Sequence, residues 1–577
     1  MADSTVTSIS SSLFQPAVTF SGLGSGIDSQ SIIDQLVEVE SRQIEHLESW
    51  KAEWTEKITA LQELNVKLTD LQSAVTAMDT PAEFLAKTVA SSDTTVVTAT
   101  AAATAAAGSH QVEVNQLAQN EIEVHAGLSS TDTVVNASGT SKVFAFTYAG
   151  STVSVTVPDG ATLEDLADAI NASGANPGVT ALVLDMGSSY TTDRYRLMLQ
   201  GNDTGSDYTI TIDDTLTTLD GTDSTEDFTS VTFTQSQAAQ NAQLRLDGYP
   251  PGAWIERASN QISDLITGVT LTLHDTSTSP VTLTVSHDTT TMQEKIQDLV
   301  TAYNEVVAYI REQTQYDSIT GEAGVLFGNY AVHIVKSELA AIATGNAPGF
   351  QDPDDPYLNL AQIGITTDAD ETSSTFGQLL VDEDTLASAL SSDPQGVGYL
   401  MAASFRGISD DDTGNITYYS SLPGITQPGT YQVSATVSGG TITNGTINGH
   451  PATIDGDTLT GAEGYPEYGL AVRINLVDGT YTSTVRLQLG INGQFTEKLE
   501  DLLSVSSGPL NIVMENYNDI VDSIDAKIAR EQRRVESVRQ RLVEQFTRLE
   551  AVLAQLNEQA NYLASAFQNL APGGQTT

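Results

Sequence analysis

From Ile528 to Phe567 the apolar residues keep step with a helix for forty residues, and no chain with such a stretch folds into a single small globule. Every seventh position reads Ile528, Val535, Leu542, Leu549, Leu556 and Leu563, an unbroken apolar row. The companion row is mixed, with Glu531, Val538, Gln545, Val552, Gln559 and Ala566. A further row at Phe546, Leu553, Ala560 and Phe567 widens the stripe beyond that of a strict two-stranded zipper. No Gly or Pro interrupts it before Pro572. Such a helix is about 60 Å long at its rise per residue, too long to bury its stripe against one compact core, so it calls for partner helices.

One partner is legible at the other end of the chain. The seven-residue step from Ile33 gives Ile33, Glu40, Leu47, Trp54, Leu61, Leu68 and Val75, with Leu36, Trp50, Leu64, Leu71 and Met78 among the companion positions. Asp28 or Ser29 offers the N-cap and Pro81 the expected stop. Two long amphipathic helices at opposite termini, with everything else between them, predict a stalk carrying its cargo at one end. An ordinary helical core is the blander reading of the same pattern.

The chain of 577 residues has room for three to five domains, and 40% apolar residues suffice for several cores. It has no Cys, which excludes disulfides, thiolate metal sites and Cys nucleophiles together. No run of 18 apolar residues marks a membrane span, and the N-terminal MADSTVTSISSSLFQPAV lacks the basic and apolar regions of a cleaved secretion signal. Cytoplasmic residence and signal-peptide-independent export both fit that pattern. The net charge is −50, from 74 acidic and 24 basic residues, which argues against nucleic acid as a partner. Seven of the 24 basic residues, Lys527, Arg530, Arg533, Arg534, Arg539, Arg541 and Arg548, fall within the C-terminal helix. Acidity of this degree reads equally as a saline habitat or simple solubility on the one hand and as a specific electrostatic role on the other.

Residues 1 to about 20 are Ser/Thr-rich and patternless, which predicts disorder before docking. After Pro81 the period switches to two. HQVEVNQLAQ, GVTALVLDM, RYRLMLQ, AQLRLDG, GVTLTLHD and VTLTVSHD read as strands, and Lys142 to Val157 as a hairpin turning at Ala149-Gly150. ATLEDLADAINAS, 161–173, reads as a capped helix led by Thr162. Helices are expected at Thr291–Gln313, Ala331–Ala343, Asp384–Leu390 and Phe495–Leu503. The Gly/Thr-rich segment from Asp410 to Asn492 reads as a separate β insertion with loop-like ends.

Catalytic chemistry is hard to find. The seven His are scattered, and His274-Asp275 and His287-Asp288 sit at strand ends, where turn residues are the commoner reading. GLGSG, 22–26, matches neither a nucleophile elbow nor a phosphate loop. DPDDP (352–356), DADE (368–371) and DDDTGN (410–415) are acidic, but none carries the Gly and Glu of a calcium-binding EF-hand loop. Nothing supports an enzyme, a cofactor or a metal site.

FSGLGSGIDSQSIIDQLVEVES, the run AQLRLDGYPPGAWIERASNQISDLITGVTLTL, DLVTAYNEVVAYI, GQLLVDEDTLASAL and LEAVLAQLNEQANYLASAF, in that order, resemble the bacterial flagellar filament-cap family, also called flagellar hook-associated protein 2. ATLEDLADAINA, GVTALV and RYRLMLQGNDTG look like the hook IN motif of flagellin-type proteins. The 410–492 segment departs from the pattern, which has a short connection there. The combined expectation is an α+β multidomain protein with long helical-bundle or coiled-coil legs at both termini and β-rich heads between them. Its divisions are a disordered 1–32, a coiled-coil helix at 33–87 and β heads at 88–290, with the hook IN-like motif at about 160–212. A helical base at 291–409, the β insertion at 410–492, and a base helix and leg at 493–577 follow. The expected partner-facing residues are Leu47, Trp54, Leu61, Leu68, Val535, Leu542, Leu549, Leu556, Leu563 and Phe567. The resemblance implies a structural cap at the distal flagellar tip. It would be exported by the flagellar type III system, assemble with itself as a pentamer or similar ring, and promote insertion of flagellin. Hook-filament junction proteins and an export chaperone are the other implied partners. A coiled-coil-stalked surface adhesin, or a flagellin or junction protein, is the alternative.

Overall fold

The computed structural model describes residues 28–222, 224–317 and 321–569. The patternless N-terminal stretch and GLGSG lie outside them. The architecture is α+β, and it is nested. A helical base is assembled from three separated stretches of chain, and β units are inserted between those stretches.

Helix α1 spans Ser29–Thr76, with the Asp28 side chain accepting from the Ser31 amide at its N-terminus. The expected boundary at residue 33 therefore moves back into the helix, since Asp28 satisfies one of the orphan amides of the first turn. Pro81 does not stop α1. The helix ends at Thr76, and Pro81 opens a short helix, α2 (Pro81–Phe84), whose capping box joins Thr80 to Glu83. Proline suits that first helical position because its missing N–H would be unpaired there anyway.

The β heads form two units with separate cores. In one, the antiparallel strands run in the order Lys87–Ser91, Val281–His287, Gly108–Gln116, Ala242–Leu246, Ile255–Arg257. This sheet shares a core with a three-stranded sheet of Gln261–Ile266, Val269–Leu273 and Val97–Ala101, built from Val112, Val114, Leu244, Leu271 and Leu283. The second unit lies between Gln116 and Ala242. It holds a four-stranded and a three-stranded sheet and helix α3 (Leu163–Ala172), around Phe144, Phe146, Leu166, Leu199 and Phe228. Thr162 caps α3 through a reciprocal pair with Asp165, and the Lys142–Tyr148/Ser151–Val157 hairpin turns at Ala149 and Gly150, both at positive φ.

Helices α4 (Thr289–Thr314), α5 (Tyr330–Thr344), α6 (Glu383–Ser392) and α7 (Pro394–Ala402) build the base with α8 (Ile491–Leu503) and the lower half of α1. The sequence pattern gave no sign of α7; its PQGVGYLMA is too short for a periodic stripe. Leu61, Leu64, Leu68 and Leu71 are fully buried here beside Tyr303, Val306 and Phe495. Each such side chain contributes about 1.5–3 kcal/mol of transfer free energy. Helix α9 (Pro509–Asn569) leaves the base and returns antiparallel along α1.

The β insertion begins earlier than 410, and its ends are not loops. The strand Arg406–Ser409 pairs with the closing strand Gly479–Gln488, with Arg406 opposite Gln488. Arg486, almost fully buried, pairs with Asp355 of the base and, at 2.9 Å, with Asp410; Gln488 donates to Asp355. Gly349 (φ +78°) lets the base loop approach so closely that a Cβ there would meet the Leu487 carbonyl.

Candidate docking surface

The pairing of α1 with α9 begins at the base. Tyr309 on α4 donates to the Ala60 carbonyl at 3.1 Å and to Glu63 at 2.7 Å, and burial together with that carboxylate pushes its hydroxyl far above the ordinary value. Above it, Trp54 packs edge-on to Tyr517 with ring centroids 4.9 Å apart. Leu47 then closes a small apolar cluster with Ile524 and Ile528, flanked by Ile44 and Ile520. Ion pairs run beside this seam. Lys51 meets Asp525 at 2.7 Å on one flank, and Arg534 meets Glu40 at 2.7 Å on the other. Hydrogen bonds to Glu531 and Glu40 raise the Arg534 pKa, and both partners are on the pair itself. Ser29 donates to Glu550 at 2.5 Å, the last contact before the described part of α1 ends.

Beyond that contact no described residue of α1 runs beside α9. Val535 is 8% exposed and Leu542 half-buried, but Leu549 is 47% and Phe567 72% exposed, with Val552, Leu556 and Leu563 between them. A stripe that would be core in a bundle thus lies open to solvent over about five turns, from Leu549 to Phe567, and an open apolar patch of this kind marks an interaction surface.

The expected interface residues separate into three sets. Leu47, Trp54, Val535 and Leu542 lie in the α1–α9 seam or at its edge. Leu549, Leu556, Leu563 and Phe567 are exposed on α9. Leu61 and Leu68 are fully buried in the base core, in one cluster with residues of α4 and α8 and with Leu510 at the start of α9. One heptad pattern serves two kinds of neighbour, because the apolar period records burial and not the identity of what buries it. The Arg486 bridge was missed altogether. Its only sequence signal is one basic residue in a strand, distant from the acidic runs DPDDP and DDDTGN that it joins.

The residues examined for chemistry have structural partners. Asp288 caps α4, the His287 ring lies 2.6 Å from the Lys87 amine, and His274 meets the Thr98 hydroxyl at 2.8 Å. Asp368 and Asp370 accept from nearby backbone and hydroxyl groups within their own turn. Among the described residues no cluster of three or more His, Cys, Asp or Glu could hold a metal ion, and no helix is long and apolar enough to cross a membrane.

Comparison with known proteins assigns nearly the whole described chain. Residues 25–121 match the family description "Flagellar hook-associated protein 2 N-terminus", residues 239–558 its C-terminus, and residues 143–203 the flagellin hook IN motif, which begins earlier than the expected 160. Flagellar hook-associated protein 2 of Escherichia coli K12 is 30% identical over 434 residues, spanning 72% of this chain and 87% of that protein. The B-type protein of the same name from Pseudomonas aeruginosa is 28% identical over 399 residues, 65% and 78% of the two chains. The crystal structure of the D1-D2-D3 domains of the E. coli flagellar cap protein FliD matches with a TM-score of 0.50 at 25% identity, covering 80% of this chain and 99% of that one. The adhesin and flagellin readings are not favoured by this set. With its first helix, its base and most of its last helix matching the two models of one family, and a relative of that name aligned over 72% of its length, the chain belongs to the flagellar hook-associated protein 2 family, the structural caps of the bacterial flagellar filament.

Proposed function

We propose that the α1–α9 pair is a leg of the coiled-coil kind, and that the open stripe of α9 holds the cap on the filament while flagellin subunits fold and insert beneath it. The observation that carries this reading is the stripe Leu549, Leu556, Leu563 and Phe567, exposed on a helix that has outrun the described part of its partner. Leu47, Trp54, Val535 and Leu542 stiffen the leg; Leu61 and Leu68 root it in the base. The cap is a homo-oligomeric ring, pentameric or similar, that reaches the tip by the flagellar type III route with an export chaperone, and it meets hook-filament junction proteins before the filament grows. Its working divisions are the legs, a base, two heads and the insertion.

The test is the variant carrying Leu549→Asp, Leu556→Asp and Leu563→Asp together. Burying three unpaired charges in an apolar contact costs several kcal/mol, on the order of the usual penalties. The side chains are exposed in the free chain, so its folding should hardly change. The expected phenotype is a folded, exported protein that leaves the filament tip, with monomeric flagellin shed into the medium. Normal filament length and motility would remove the stripe from the mechanism.

A further inference from the structure

In the heptad frame of α9, the positions just before Ile528, Val535, Leu542 and Leu549 are Lys527, Arg534, Arg541 and Arg548. In a chain of net charge −50 this is an unbroken basic row, running beside the seam for about 30 Å. Lys527, Arg534, Arg541 and Arg548 are all exposed. Lys527 sits 5.3 Å over the Trp50 ring and Arg534 reaches Glu40, which fixes the flank of the leg on which the row lies. Arg541 has no ion-pair partner among the described residues, and Arg548 has only Glu544, at 3.9 Å and mostly in water. Exposed Ile32, Leu36 and Val39 of α1 lie along the same flank.

The opposite flank is mainly acidic, with Lys51, paired to Asp525, and Arg539 as its basic residues. Asp34 and Glu48 of α1 are exposed on the side toward which Lys51 and Asp525 pair, and Glu38 and Glu45 are exposed beside them on the face of α1 turned away from α9. The two stripes stand at the same height. Ser29 meets Glu550, Glu40 meets Arg534 and Trp50 meets Lys527, so residues 29–50 run alongside 527–550. The acidic stripe then leads into a groove of about 610 Å³ between α1 and α4, whose lining holds Glu48, Glu56 and Glu63 against the one basic residue Lys51, with Tyr309 on the α4 side. Two complementary surfaces on opposite flanks of one element, with no offset along its length, form a head-to-tail contact that can close into a ring without rising into a helix.

We infer that the basic row of one leg docks on the acidic flank of α1 in the next copy of this chain, so that leg-to-leg charge pairing sets the order of subunits around the ring. This rests on the self-assembly reading above and names the surface that performs it. In so acidic a chain, copies repel one another over most of their surface. The basic row is the exception, and it supplies both attraction and direction, because like-charged flanks brought together are penalised.

The test is sedimentation velocity and electron microscopy of the full chain at rising concentration, in low and in molar salt. The unmodified protein should assemble in low salt and dissociate as salt screens the contact. The variant R541E/R548E should need roughly tenfold or more protein to assemble, and so should D34R/E38R, whose side chains stand at the same height along the leg. A chain carrying all four changes has the charges exchanged and should assemble as the unmodified chain does. Circular dichroism should be the same throughout, since all four side chains are exposed. Assembly of the unmodified chain that neither salt nor either reversal weakens overturns the inference and leaves self-assembly standing. Failure of the four-fold exchange to restore what each pair lost also overturns it. If the unmodified chain never assembles at any concentration, the self-assembly reading falls, and this inference with it.

Discussion

Glu123 shows how one residue can be set against its own strand. It lies on Ile122–His125 in the second head unit, on the same side of the strand as buried Glu121 and His125. Burial first, and then the neighbouring Glu121, raise its pKa from 4.5 to about 7. The folded head therefore holds a proton that the unfolded chain releases near 4.5. Between those values the native state binds more protons, so this group's contribution to stability falls as pH rises from about 4.5 to about 7. The expected outcome is a head that melts at lower temperature at pH 7.5 than at pH 5, with the difference reduced in Glu123→Gln. An unchanged pH dependence in that variant would assign the effect to other groups. Two residues on the same strand face, separated by one position, were visible in the sequence; their burial was not, because alternation leaves open which side of a strand is covered.

At the scale of elements, the insertion is the sharpest case. Its first and last strands are paired neighbours, with Arg406 opposite Gln488, so the ends that a linker must bridge are only about 5 Å apart. Replacing Arg406–Gln488 with a short Gly/Ser linker should leave the base helices folded, the protein exported and filaments growing. Removing Arg486 in the process leaves Asp355 open to water and not buried without a partner, which is the costly case. Circular dichroism, secretion and filament length check this, and aggregation with loss of helix would make the insertion part of the base core. A cut at 410–492 is a poorer experiment. It strands Arg406–Ser409 without its partner and deletes Ile491 and Asn492, which are buried in the first turn of α8. The alternating pattern identified the segment as β. Its ends were misplaced because a four-residue strand, RGIS, carries too little alternation to be recognised.

For the whole molecule, nesting predicts a gradient of protection along α9. Leu510 is in the base core, Ile524 and Ile528 are in the leg seam, and Leu556 to Phe567 face solvent. Hydrogen exchange on the monomer should be slowest near Leu510, intermediate near Ile528 and fast beyond Leu549, because opening of a helix end whose apolar side chains lie in solvent costs little. Strong protection at Leu556–Phe567 in a monomer would contradict the picture of an open stripe. The sequence by itself determined the two long helices, the β character of what lies between them, the lack of cysteine chemistry and the family resemblance, since periodicity and motif order are local and need no partner to be read. Only the tertiary structure decided which apolar residues of one heptad row are core and which are open, that the base is closed from three distant stretches, and that Arg486 joins two acidic loops lying 131 and 76 residues before it in the chain. Those are properties of contacts between residues far apart in the chain, and burial at a given position depends on what the rest of the chain brings to it.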